Sequence, residues 1–153
     1  MQTVKVHNLS VSHKRLLAAL WFSALTLLCM LVMFHKLTMS FRGILLYVVL
    51  PIIASGIAGS LWGVPILNPA KTTRVGQSLL RGIAVSGGAF VIFSLMFAFA
   101  LPFIERGWSL GQSRGILLFT WILGILLAGP IVLIGGMLAG ATLYWFRRSV
   151  VGE

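Results

Sequence analysis

The side chains that could perform acid–base, nucleophilic or metal chemistry are few and scattered. The histidines are His7, His13 and His35, and Cys29 is the single cysteine. One cysteine cannot form an intramolecular disulfide or a Cys-x-x-Cys redox centre, and the histidines have no evident third ligand for a metal. Glu105 stands next to an arginine, which is typical of a local ion pair or an interfacial cap. We therefore expect no catalytic residue, no cofactor and no metal site.

Four long runs of the chain carry no charged side chain and no histidine. They span residues 16–34, 43–67, 82–104 and 115–146. A membrane-spanning helix needs about 20 mainly apolar residues, and the mean hydropathy of +1.04 exceeds that of water-soluble domains. The runs therefore predict an all-α integral membrane protein, with four transmembrane helices in a single membrane domain. Because ionisable groups within a bilayer are usually functional, their absence from the runs argues against an enzyme and against a proton relay.

Basic residues bracket the runs and predict their orientation. The chain has 12 Lys and Arg against two Asp and Glu, a net charge of +10. Eight basic residues lie in the terminal segments and the loop 68–81, and four lie in the other two loops. By the positive-inside rule, both termini and the loop 68–81 are cytoplasmic. The net positive charge is thus explained by topology and by contact with anionic lipid headgroups, and no nucleic-acid partner is needed. The same distribution favours a bacterial inner membrane, and an organellar inner membrane is the alternative.

The basic residues on the predicted cytoplasmic side are candidates for contact with lipid headgroups or with a partner. Lys71, Arg74 and Arg81 lie in the loop 68–81, and Arg147 and Arg148 follow the fourth run. A basic residue close to an anionic leaflet contributes about 1 kcal/mol. The competing interpretation is a tether whose charges only set the topology.

An internal repeat indicates two copies of a helical hairpin. Residues 42–47 (RGILLY) and 114–119 (RGILLF) share five of six residues at the start of the second and fourth runs. Pro51 in the second run and Pro130 in the fourth are each followed by glycines. Two tandem hairpins cross the membrane in the same orientation, so the repeat is predicted to be parallel. Chance similarity between leucine-rich segments is the alternative.

The fourth run is longer than one membrane crossing requires. Its 32 residues would reach roughly 48 Å as a helix, against a hydrocarbon core of about 30 Å. Gly129 and Pro130 lie near its middle, where proline removes a backbone hydrogen bond. We predict a long fourth helix with a kink at Gly129-Pro130, and a similar kink at Pro51 in the second helix. A broken fourth helix is the alternative.

Glycines recur in the second and fourth runs at the spacing of helix contacts. Gly59 and Gly63 form one Gly-x-x-x-Gly pattern, Gly136 and Gly140 form another, and Gly56 precedes the first. Small residues let helices approach closely, and close packing drives helix association in lipid. These five glycines are therefore predicted helix-packing residues, although the pattern does not say whether the partner helix belongs to the same chain.

Taken together, these features favour a non-catalytic accessory or assembly subunit that packs against a larger membrane complex through its glycine faces. Its partners would be other integral membrane subunits or a second copy of the chain. A small oligomeric channel or facilitator with a neutral pathway is the alternative, although no selectivity element is evident. An enzyme acting on lipids or quinones is the weakest hypothesis, because the runs lack acid–base groups.

The charge distribution makes a prediction about topology. A green fluorescent protein fused after Glu153 is expected to fluoresce, because the C-terminal basic residues hold that end in the cytoplasm. Alkaline phosphatase fused at the same position serves as the control and is expected to be inactive. If the phosphatase fusion is active and the green fluorescent protein fusion is dark, the predicted cytoplasmic position of the C-terminal end is wrong.

Overall fold

A computed structural model describes residues 10–34, 40–68, 70–104, 113–123, 126 and 129–151, and the regular structure in this part of the chain is helical. Helix α1 spans Val11–Phe34, α2 Phe41–Leu67, α3 Val75–Ile104, α4 Ser113–Leu123 and α5 Gly129–Val151. Four segments are long and apolar enough to cross a membrane, namely Val11–Val32, Phe41–Leu67, Val75–Ile104 and Gly129–Ser149. The prediction of an all-helical protein with four such helices is confirmed.

Three helices extend past the ends of the apolar runs. Helix α1 begins at Val11, before the first run, and α3 begins at Val75, so that Arg81 lies in a helix and not in a loop. Helix α5 continues beyond the fourth run through Arg147. Long basic side chains near a helix end can reach polar groups at the membrane interface, so they do not end the helix. The connection between α2 and α3 is correspondingly shorter than the predicted loop 68–81.

Helix α2 contains two π-helical turns, and each ends two residues before a proline. The turn Leu45–Val49 precedes Pro51, and the turn Gly59–Gly63 precedes Pro65. In a regular α-helix the proline ring clashes with the carbonyl four residues earlier, and a wider turn relieves this clash. The helix therefore continues through both prolines, and the kink at Pro51 stays a prediction.

The predicted long fourth helix corresponds to α4 and α5. Helix α5 begins at Gly129 and places Pro130 in its first turn, where the missing N–H has no helical acceptor to lose. Residues 124, 125, 127 and 128 lie outside the described residues. The kink at Gly129-Pro130 and the span 115–146 therefore stay predictions. Among the described residues of this region, the segment long and apolar enough to cross a membrane is Gly129–Ser149.

Helix α3 is central in the bundle and packs against α2, α4 and α5. Helix α1 packs along α2 and also reaches α5. There the Trp21 and Phe146 ring centroids lie 5.0 Å apart, and the indole Nε1 of Trp21 donates to Thr142 Oγ1 at 3.3 Å. Helix α2 packs on α3 as extensively as α3 packs on α5, so the pairings do not separate two hairpins. The duplication itself stays a prediction.

Two clusters of buried apolar side chains fill the bundle. The larger cluster joins four helices and consists of Ala18, Phe22, Ala58, Ile66, Leu67, Val85, Ala139, Leu143 and Tyr144. The smaller cluster lies between α2 and α3 and consists of Leu46, Leu50, Phe97 and Leu101. The larger cluster lies beside the connection between α2 and α3, so it supports the polar residues at that end of the bundle.

Candidate functional site

The predicted packing glycines of α2 lie against α1. A Cβ atom added at Gly56 would lie 2.6 Å from Ser23 Oγ, and one added at Gly59 would lie 2.9 Å from the Ala18 carbonyl oxygen. One added at Gly63 would lie 3.1 Å from Ala18 Cβ. Because real Cβ atoms do not come closer than about 3 Å to such atoms, the approach of α1 and α2 requires glycine at position 59, where the neighbour is backbone. At position 56 a larger residue would have to displace the Ser23 hydroxyl.

The predicted packing glycines of α5 lie against α3, where the approach is closer still. A Cβ atom at Gly140 would overlap with the Ser78 carbonyl oxygen, and one at Gly136 would overlap with Ser86 Oγ. In the opposite direction, a Cβ atom at Gly82 would overlap with the Gly136 carbonyl oxygen. Gly82 was not among the predicted packing residues, because it stands alone at the start of the third apolar run.

All five predicted packing glycines thus lie between helices of the same chain. Two other glycines inside the apolar runs, Gly87 of α3 and Gly135 of α5, are open, since an added Cβ atom would meet nothing within 4 Å. The Gly-x-x-x-Gly spacing therefore marks the internal contacts of the bundle. The open positions are the ones that remain available to a helix from another chain.

Hydroxyl groups in the apolar runs donate to backbone carbonyl oxygens. Ser23 Oγ donates across to Ile52 O of α2 at 3.1 Å, and Ser94 Oγ donates to Phe90 O within α3 at 2.8 Å. The same kind of bond within one helix is made by Ser55, Ser60, Ser86 and Thr142. A polar group in hydrocarbon must be satisfied inside the protein, and these groups are satisfied by the bundle itself.

Charge is concentrated where α2 ends. Arg147 of α5 is only 5% exposed, and its Nη1 donates to the carbonyl oxygens of Ile66 at 3.1 Å and Thr72 at 3.0 Å. Arg81 of α3 donates through Nη1 to Pro65 O at 2.8 Å and also to Thr72 Oγ1. The Thr72 hydroxyl in turn donates to Pro65 O at 2.7 Å. We call Pro65, Ile66, Thr72, Arg81 and Arg147 the arginine cluster.

The arginine cluster forms because the last carbonyl oxygens of a helix have no N–H donor within that helix. Helix α2 ends at Leu67, so the carbonyls of Pro65 and Ile66 need donors from elsewhere. The Asn68 N–H donates to Pro65 O at 3.3 Å. Two guanidinium groups supply further donors, as basic side chains commonly do at helix C-termini. Tyr144 helps to hold Arg147, because the guanidinium carbon lies 4.8 Å from its ring centroid and its hydroxyl donates to Thr73 O at 3.3 Å.

Of the five basic residues predicted to contact lipid or a partner, the structure brings Arg81 and Arg147 together. Lys71 and Arg74 are exposed on the connection between α2 and α3, and Arg148 is exposed on α5. Sequence reasoning placed all five on one side of the membrane but missed the roles of Thr72 and of the α2 carbonyls. The available signal was the end of α2 itself, where free carbonyls require donors.

The residues that could carry other chemistry do not come together in the described part of the chain. No group of three His, Cys, Asp or Glu side chains is placed there to hold a metal ion. Cys29 is exposed on α1, and a hydrogen bond of 2.6 Å joins His13 Nδ1 to Ser10 Oγ at the start of that helix. His7, His35 and Glu105 lie outside the described residues.

Comparison of the chain with protein-family models, with curated proteins and with solved structures finds no match to any of them. The inference of function therefore starts from the internal glycine contacts, the satisfied hydroxyl groups and the arginine cluster.

The close contact between α3 and α5 predicts that a single methyl group added at Gly82 lowers the stability of the protein. Gly82→Ala is expected to destabilise the protein by about 1–3 kcal/mol, because the methyl overlaps with a backbone carbonyl that cannot rotate away. The measurement is the midpoint of unfolding by sodium dodecyl sulfate from a mild detergent. Gly87→Ala on the same helix is the control and should leave stability unchanged or raise it. Equal losses in both variants would contradict the close contact.

The arginine cluster predicts a large difference between two neighbouring arginines. Arg147→Gln is expected to destabilise the protein by about 2 kcal/mol or more, since it leaves the buried Ile66 and Thr72 carbonyls without their charged donor. Arg148→Gln removes the same charge from an exposed side chain, so its effect should be much smaller. The same unfolding midpoint measures both, and a similar effect of the two substitutions would argue against the buried position of Arg147.

Proposed function

We propose that the protein is a non-catalytic accessory or assembly subunit that packs against a larger integral membrane complex. The observation that carries this proposal is that polar side chains of the protein form hydrogen bonds within the chain itself. Hydroxyls of the apolar runs donate to backbone carbonyls, and the two arginines that meet inside the bundle donate to the end of α2. The outer surface of the apolar runs consists mainly of apolar side chains, and such a surface in a membrane acts by packing against lipid or protein.

The outer surface of the helices is rich in large apolar side chains. Leu28 of α1 is 57% exposed, Phe119 of α4 is 65% exposed and Leu138 of α5 is 60% exposed. Helix α4 packs on α3, where the Phe90 and Trp121 ring centroids lie 6.4 Å apart, and it presents Leu118 and Phe119 outward. Such a surface suits either lipid chains or the transmembrane helices of another subunit.

The partner in this proposal does not bind through the five glycines predicted from the sequence, because those glycines contact helices of the same chain. Gly87 of α3 and Gly135 of α5 are small residues within the apolar runs at which a foreign helix can still approach closely. We infer that a partner helix packs at one of these positions, in the bacterial inner membrane that the charge distribution favours.

A neutral channel is less well supported. A conducting path needs polar groups that face a lumen and replace the water around the solute. Ser55, Ser60, Ser86 and Ser94 instead donate to carbonyls of their own helices. Solute or ion flux through vesicles that contain the purified protein would favour the channel over the subunit.

The decisive experiment is purification from the native membrane in mild detergent. We expect the affinity-tagged protein to bring down a larger integral membrane complex in fixed stoichiometry, identified by mass spectrometry. A homogeneous oligomer of this chain without any other protein would overturn the proposal.

A matched pair of variants tests the proposed contact position. Gly87→Leu places a large side chain in open space on α3, so the protein is expected to fold with its stability little changed but to lose the co-purified complex. Gly76→Leu makes the same change at an open, exposed position in the first turn of α3 and should keep the complex. Retention of the complex by Gly87→Leu, together with loss in the corresponding Gly135→Leu variant, would move the contact to α5.

A further inference from the structure

Within the described residues, the two guanidinium groups of the arginine cluster bond to neutral groups. The acceptors of Arg81 and Arg147 are the carbonyl oxygens of Pro65, Ile66 and Thr72 and the Thr72 hydroxyl. The chain has two acidic residues, Glu105 and Glu153, and neither belongs to the described residues. A buried charge is usually paired with an opposite charge, and two guanidinium groups that bond to the same threonine also repel each other.

Each of these guanidinium groups keeps a free hydrogen-bonding edge. A guanidinium has five N–H donors, and the bonds described above use Nη1 of both arginines. In the described part of the chain, Nε and Nη2 of Arg81 and Arg147 have no acceptor. The Nε–Nη2 edge is one of the forks with which arginine binds two oxygens of a carboxylate or a phosphate.

The surroundings of the arginine cluster favour an anion of high charge. Lys71 and Arg74 are exposed on the segment that also carries Thr72, so they add positive potential around the arginine cluster. Arg81 is half-buried and can be reached from outside, whereas Arg147 is held inside by Tyr144 and by two carbonyls. A site with one accessible fork, one buried charge and further basic residues around it matches a phosphate group better than a single carboxylate.

We propose that the arginine cluster binds a phosphate group, with Arg81 as its accessible ligand and Arg147 as the buried charge that strengthens binding. The phosphate belongs either to the headgroup of an anionic lipid or to a dissolved phosphate compound. Binding offsets the repulsion between the two guanidinium groups and so stabilises the end of the bundle at which α2, α3 and α5 meet. This site is independent of any partner complex, because the chain alone contains all of its ligands.

The test uses the purified full chain in a maltoside detergent, which carries no phosphate. Dihexanoyl-phosphatidylglycerol or sodium phosphate is titrated while the thermal unfolding midpoint is followed, with sodium chloride at equal ionic strength as the control. We expect a rise in the midpoint with the lipid. A rise with the lipid alone identifies a lipid headgroup as the source, and a rise with both identifies a site for any phosphate. No rise with either, or the same rise with chloride, overturns the proposal.

Matched variants distinguish the site from general charge attraction. Arg81→Gln is expected to weaken lipid affinity by about tenfold or more, because it removes the charge-assisted hydrogen bonds of the fork. Arg74→Gln removes the same charge and should change the affinity little. Equal weakening in both variants would mean that only surface charge acts, and it would overturn the proposal.

Arg81→Lys keeps the protein's charge and removes the fork, so it provides a test if Arg81→Gln does not fold. We expect its affinity for the lipid to fall as well, because a lysine acts as a point charge and cannot bind two oxygens in a fixed geometry. An affinity equal to that of the unmodified protein would contradict the role of the Arg81 fork.

Discussion

The close approach of α3 and α5 at Gly82 and Gly136 is the contact on which the rest of the bundle depends. Lipid chains are as apolar as the helices, so burial alone does not draw helices together, and short-range dispersion between closely fitted surfaces has to do so. Such fitting is best where backbone meets backbone, as it does here. Because α3 also packs against α2 and α4, its position against α5 determines where those helices lie. Helix α1 is then held to α2 by the less close approach at Gly59.

The second constraint is that hydrocarbon offers no partner to a free polar group. Helix α2 meets it in two ways. Its π-helical turns before Pro51 and Pro65 let the helix continue past each proline, and the last carbonyls accept from Arg81 and Arg147 instead of from water. The serine hydroxyls follow the same rule with bonds to carbonyls. The bundle therefore looks apolar from outside because its polar groups are used inside it.

Much of the fold could be predicted from the sequence, because charge and length decide which segments can cross a membrane. Helix ends were harder to predict, since a hydropathy run stops at the first charge. The helix around Arg81 continues because its side chain finds carbonyl acceptors. The spacing of Gly59 and Gly63 predicted contact residues but not their partner, because a pattern on one helix does not identify the helix it meets. The arginine cluster was not predicted, because the end of α2 signals that its carbonyls need donors but does not identify Arg147, which lies 81 residues beyond Ile66.

That separation has a consequence for the synthesis and membrane insertion of the protein. Membrane helices enter the bilayer in the order in which the ribosome makes them, so the Ile66 carbonyl at the end of α2 is exposed long before Arg147 has been synthesised. Until α5 enters the membrane, this carbonyl has interfacial water or a helper protein as its partner. The bond between Arg147 and Ile66 forms only after α5 has been made. A chain interrupted before that point carries an unfinished end, which quality-control proteases can recognise.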